Sequence, residues 1–139
     1  MKKTMTAIAG LVALTVGSGA ADAATLEIVV EGLSAKGRVM IAVLESEEAW
    51  KGKSQDLVSI NAKATAPTMK FTIDVPATTL AVRLFHDANG NGELDTNMLG
   101  IPKEGYGFSN NPSLMGPAAF KDAAFKVSAA RHSTTISIQ

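Results

Sequence analysis

The sequence predicts an all-β fold, two antiparallel sheets packed as a sandwich of about seven strands. Three observations lead there. Apolar residues recur at every second position in short runs, the period of a strand with one dry and one wet face. Gly, Pro and Asn punctuate those runs at close intervals. Helix signals occur in only one short stretch, around Ser46 to Gly52.

Residues 1–23 read as a signal peptide. Lys2 and Lys3 form a positive start, Met5 to Val16 an apolar segment, and Ala21-Asp22-Ala23 an A-x-A cleavage signal before Ala24. The apolar segment falls short of the roughly 20 residues that a membrane span needs. Removing 23 of the 139 residues leaves 116. Lys+Arg falls from 13 to 11 with Lys2 and Lys3, and Asp+Glu from 13 to 12 with Asp22, for a net charge of −1. That balance gives no electrostatic basis for nucleic acid or for an anionic membrane surface. The chain has no cysteine, so neither a disulfide framework nor lipid attachment at Ala24 is possible. Residues 24–139 are expected to form one domain, with a periplasmic or secreted location and no membrane insertion after cleavage.

The first strand pattern is Leu26, Ile28 and Val30 alternating with Glu27 and Glu31, followed by a turn from Gly32 to Gly37. Arg38 to Leu44 is apolar at both parities and predicts a central strand. Ser46 offers a helix N-cap, Glu47 and Glu48 suit the positive end of the helix dipole, and Gly52 stops the turn, with Trp50 folding back onto the core edge. Leu57 to Ala64 is the third strand. Met69, Phe71, Ile73 and Val75 alternate with Lys70, Thr72 and Asp74 in the fourth, which Pro76 ends. Leu80, Val82 and Leu84 mark the fifth. Phe125 with Val127, and Thr134, Ile136 and Ile138, mark the last two, with Ala129 to His132 as the turn between. Seven short strands of this kind fit an immunoglobulin-like or transthyretin-like sandwich. An outer-membrane barrel is the alternative for an exported β protein, but its aromatic girdles need more than the seven aromatics present here.

The exception to this regularity is residues 86–111, HDANGNGELDTNMLGIPKEGYGFSNN, far longer than a hairpin connection. Its first half reads D-x-N-x-N-G-x-x-D. Calcium takes six to eight oxygens, and a tight loop with oxygen side chains at alternate places can wrap it. Asp87, Asn89 and Asn91 occupy the first, third and fifth places, Gly92 the sharp bend, the Glu93 carbonyl the seventh, and Asp95 the ninth. An EF-hand closes with Glu at the twelfth place, which here is Met98, and no helix precedes Asp87. A remote carboxylate must therefore complete the shell, and Glu104 is the nearest candidate. With so few carboxylates, affinity is expected at roughly 10⁻⁴–10⁻³ M. The competing reading is a turn braced by its own side chains, since Asn-Gly occurs at 89–90 and again at 91–92.

In the second half, Gly105 and Gly107 flank Tyr106, and Phe108 follows. Alternate glycines let the backbone run close to another surface. Two readings stay open. Ile101, Tyr106 and Phe108 form a latch over the end of the sandwich, or Tyr106 and Phe108 offer a ligand platform. In the second, Ser109, Asn110 and Asn111 supply hydrogen bonds to a protein, peptide or glycan ligand.

The two linked motifs, DANGNGELDTN and GIPKEGYGFSNN, resemble the signature of a secreted bacterial family known as domain of unknown function 2141, and the resemblance extends over essentially the whole mature chain. Its positions here are Asp87, Asn89, Asn91, Gly92, Asp95, Gly100, Pro102, Glu104, Gly105, Tyr106, Gly107, Phe108 and Ser109. The resemblance implies an exported small β protein with no established activity, whose two half-loops act together.

Catalysis is not the expected function. His86 continues the parity of Val82 and Leu84 and reads as a packed histidine at the end of the buried face. The hydrolase alternative combines Ser109 with His86 and Asp95, or uses Asp95 and Glu104 as a carboxylate pair. No nucleophile-elbow motif supports the first, and nothing in the spacing sets the separation of the second. The expected role is a non-catalytic binding or accessory module with loop 86–111 as its functional face. A purely structural or adhesive subunit without metal is a further alternative.

Overall fold

A computed structural model describes residues 3–4, 23–100, 103–113, 118–128 and 130–139. The predicted leader lies outside the described residues, apart from Lys3, Thr4 and Ala23. In chain order the elements are β1 (Lys3–Thr4), β2 (Ala23–Glu31), β3 (Arg38–Leu44), α1 (Glu47–Trp50), β4 (Val58–Lys63) and β5 (Thr68–Pro76). They continue with β6 (Thr79–Asp87), β7 (Tyr106–Phe108), α2 (Phe120–Ala123), β8 (Phe125–Lys126) and β9 (Arg131–Ser137).

The strands form the two-sheet sandwich that the alternation predicts. One sheet runs β1-β4-β3-β6-β7, with β8 sharing the outer edge of β6, and the other runs β5-β2-β9. Leu26, Ile28 and Val30 of β2, with Phe71, Ile73 and Val75 of β5 and Ile136 of β9, face Val39, Ile41 and Val43 of β3 across the core. Val58 and Ile60 of β4 and Leu80, Val82 and Leu84 of β6 complete it. Each such aliphatic side chain, taken from water to full burial, contributes about 1.5–3 kcal/mol. β3 is central, as its sequence predicts, although only Val39, Ile41, Val43 and Leu44 are buried while Met40 and Ala42 are half-buried on the outer face.

Three features depart from the sequence reading. Within the stretch expected to be a continuous loop, Tyr106–Phe108 is a strand, antiparallel to β6 with Phe85 opposite Tyr106. The one-turn helix α2 was not expected either. The last strand starts at Arg131, inside the expected turn 129–132 (Ala129 itself lies outside the described residues), because its pairing with β2 begins at Thr25 opposite Arg131. That pairing is parallel, whereas β2 with β5, β3 with β4, and β3 with β6 are antiparallel.

The helices sit on the outer face of the larger sheet. Ser46 Oγ caps α1 by accepting from Ala49 N at 3.1 Å, as its position predicts. Trp50 packs at 6.0 Å from both Phe108 and Phe120, donates Nε1–H to the Ala118 carbonyl at 3.0 Å, and lies under the Arg83 guanidinium at 4.9 Å. Among the described residues no helix is long and apolar enough to cross a membrane.

Candidate functional site

The site begins where β6 ends. Asp87 is fully buried, yet it starts an exposed loop. Its carboxylate accepts from Asn91 N at 3.2 Å and from Gly92 N at 2.7 Å, so the chain after the strand is pulled back over it. Gly90 and Gly92 have φ of +74° and +82°, which glycine adopts without the steric cost other residues meet. Asn89 Oδ1 accepts from Asn91 N at 3.1 Å and Asn91 Oδ1 from Glu93 N at 2.9 Å, two Asx turns in succession.

Both amides also reach Asp95. Asn89 Nδ2 donates to it at 2.6 Å and Asn91 Nδ2 at 2.8 Å. These two bonds, Asn91's first and Asn89's second, hold the Asp95 carboxyl below the usual range against a smaller desolvation effect, with Lys103 adding attraction.

Glu104 returns to the cluster. It accepts from Ala88 N at 3.0 Å and from Asp95 N at 3.1 Å, and Lys103 N donates to the Asp95 carbonyl at 2.7 Å. The chain thus leaves the cluster at Asp95 and re-enters it at Lys103 and Glu104, closing a loop. At its tip Asn97 Oδ1 accepts from Leu99 N at 2.8 Å, and Met98 and Leu99 are 101% and 83% exposed.

The proposed metal positions Asp87, Asn89, Asn91, Glu93, Asp95 and Glu104 therefore share one clasp, joined by N–H donors. Among the described residues no three His, Cys, Asp or Glu side chains form a metal-ligating group. The clasp satisfies its own hydrogen bonds: carboxylates take backbone N–H groups, and the two amides bridge to Asp95.

The second motif is a seam between the sheets. Gly107 faces inward, where an added Cβ would stand 2.6 Å from Ile136 Cγ2 and 3.1 Å from the Ser137 carbonyl, and a Cβ on Gly105 would collide with Ile138. Tyr106 exchanges bonds with Gln139, receiving at its carbonyl at 2.8 Å and donating at 3.4 Å. Asn111, at φ +44°, adds its side chain to the β9 edge, donating to the Thr135 carbonyl and accepting from Ser137 N, both at 2.9 Å. The close backbone approach read from the glycines is present, with β9 as the second surface.

Besides Asn111, the residues read as ligand contacts have separate surroundings. Tyr106 and Phe108 are half-buried on the outer face, their rings 5.8 Å apart, and Phe108 is shared with Trp50. Asn110 Nδ2 donates to the carbonyls of Asp122 and Ala124 at 3.2 and 2.9 Å, tying down α2. Ser109 is fully buried, so it presents nothing to a ligand. Its hydroxyl donates to the Ala123 carbonyl at 2.5 Å and accepts from Val82 N at 2.9 Å. Ile101 and Pro102 lie outside the described residues.

His86 is buried and packed, with ring Nε2 2.6 Å from the Lys36 carbonyl and its backbone N–H donating to the Gly105 carbonyl at 2.8 Å. Ser109 bonds β6 at Val82, four residues before His86, a separation of roughly 13 Å along a strand. The Ser109–His86–Asp95 combination does not assemble.

Sequence reasoning missed Gly37, whose missing Cβ leaves room for the Ala88 backbone 2.7 Å away. It also missed Asn111 as an edge cap. A pair of asparagines after a glycine-spaced strand is the available signal, because Asn tolerates the left-handed region.

A family model described as an uncharacterized protein conserved in bacteria (DUF2141) matches residues 28–136, which include the whole clasp and all of β3 to β8. No curated protein and no solved structure matches the chain.

Proposed function

The chain belongs to this family of uncharacterized bacterial proteins, and from that premise we propose that it is an exported, non-catalytic binding or accessory module that takes a calcium-type cation weakly at the Asp87–Glu104 clasp. The observation that carries the reading is the return of Glu104, whose two oxygens bridge Ala88 N and Asp95 N and close the loop that lacks a carboxylate at its twelfth place. The cation would be held by the oxygens of Asp87, Asn89, Asn91, Asp95 and Glu104 with the Glu93 carbonyl. It would compete with the amide bonds to Asp95, which is a reason for weak affinity. Those same amide bonds favour the second reading, a clasp that needs no metal.

Thermal unfolding separates the two. At 5 mM calcium, affinity near 10⁻⁴–10⁻³ M stabilises the fold by about 1–2 kcal/mol, a rise of a few degrees that EDTA removes and Asp95→Asn abolishes. If the melting temperature ignores calcium, the metal-free clasp stands. The partner would be a protein, peptide or glycan meeting Tyr106 and Phe108 on the outer face. The hydrolase alternative through Ser109 finds no support in the buried, fully bonded hydroxyl.

A further inference from the structure

The sandwich is stitched along one side and open along the other. On the stitched side β7 and β9 are joined through Tyr106–Gln139 and Asn111. On the open side β4 carries β1 at Val58 and Ser59, but among the described residues no strand pairs with the outer edge of β5. β5 is nine residues long, and Thr68, Lys70, Thr72 and Asp74 on its outer face are exposed. A bare edge of that length presents a row of backbone donors and acceptors ready to pair with another strand.

We propose that β5 is a homodimer interface: two copies pair edge to edge, antiparallel and centred on Thr72, and their three-stranded sheets become one continuous sheet. The occupant is argued from the order of charges along β5. In an antiparallel pair, residues directly opposite must face the same side, so only a few registers are open. Centring on Thr72 places Lys70 opposite Asp74 twice, by the two-fold symmetry, with Thr72 opposite Thr72 between them. On the inner face it places Phe71 opposite Ile73 and Met69 opposite Val75, extending the core of each copy into the other. It is also the register that overlaps all nine residues. Centring on Lys70 or on Asp74 opposes like charges, and centring on Phe71 or Ile73 leaves Lys70 and Asp74 without opposite partners. Opposite charges directly across a ladder stabilise it and like charges destabilise it, so this edge favours a second copy over an unrelated strand. A lysine on an edge normally discourages pairing; here Asp74 of the second copy neutralises it. Lys70 is 62% exposed and pairs with Glu27 at 3.6 Å, an exposed contact worth little on its own, so exchanging it for Asp74 of the second copy costs little.

Sedimentation equilibrium of the purified protein over a micromolar-to-millimolar series tests this. The wild type shows a monomer–dimer equilibrium. Lys70→Asp and Asp74→Lys each raise the dimer Kd at least about tenfold, since each sets two like-charge pairs across the seam. Mixing the two single variants restores association as a heterodimer, because each then presents what the other lacks, and the double variant K70D/D74K self-associates again. A melting curve for each variant establishes that it is folded. A wild type monomeric throughout overturns the proposal, as do single variants that associate like the wild type, or a folded mixture that stays monomeric.

Discussion

Asp87 shows how a buried charge is tolerated. A carboxylate taken out of water is costly unless hydrogen bonds replace its hydration, and here Asn91 N and Gly92 N do so. Replacing it with alanine takes the acceptor from Gly92 N, while Asn91 N keeps only Asn89 Oδ1, so the turn loses its anchor to the end of β6. Asp87→Ala is therefore expected to lower stability by about 1–3 kcal/mol in chemical denaturation in calcium-free buffer, from the lost hydrogen bonds alone. The sequence pattern made Asp87, the asparagines and the glycines legible as one tight turn, because alternate oxygens and positive-φ residues are local chemistry. The direction each amide faces was not legible. It depends on Asp95 and on Glu104 arriving from nine and sixteen residues away.

At the scale of elements, β7 is the instructive case. Glycine disfavours strands, and two in Gly105-Tyr106-Gly107 obscure one. The strand exists because β6 supplies a ladder on one side and Gln139 on the other, and because nothing larger than hydrogen fits against Ile136 and Ile138. Gly107→Ala is expected to cost about 1–3 kcal/mol through overpacking, measured by denaturation. Ile136→Ala, which removes the opposing Cγ2, should cut that penalty in a double-mutant cycle. The glycine spacing announced a close approach but not its partner, which lies about thirty residues later in the chain.

At the scale of the whole molecule, acid stability should depend on two separate carboxyls, one on a sheet face and one in the clasp. Glu27 sits on the outer face of the smaller sheet, held below the usual carboxylate range first by the Ser133 hydroxyl, against some desolvation, and then by Lys70 and Arg131. Asp95 is depressed in the clasp. A carboxyl whose folded pKa is depressed adds stability above its unfolded pKa, and that stability is lost as pH falls through the folded value. Stability is thus expected to drop below about pH 4, and Glu27→Gln and Asp95→Asn should each flatten part of that drop in acid titrations followed by circular dichroism.

Period-two alternation, proline and asparagine-glycine breaks, and a serine cap are properties of neighbouring residues, so the sequence by itself determined the all-β class, the core strands β2 to β6 and the helix α1. Pairing between distant segments is decided by which surfaces meet after collapse. Only the tertiary structure therefore decided that β9 runs parallel to β2, that Tyr106–Phe108 is a strand, that Ser109 is buried, and that Glu104 closes the clasp on the backbone of Ala88 and Asp95.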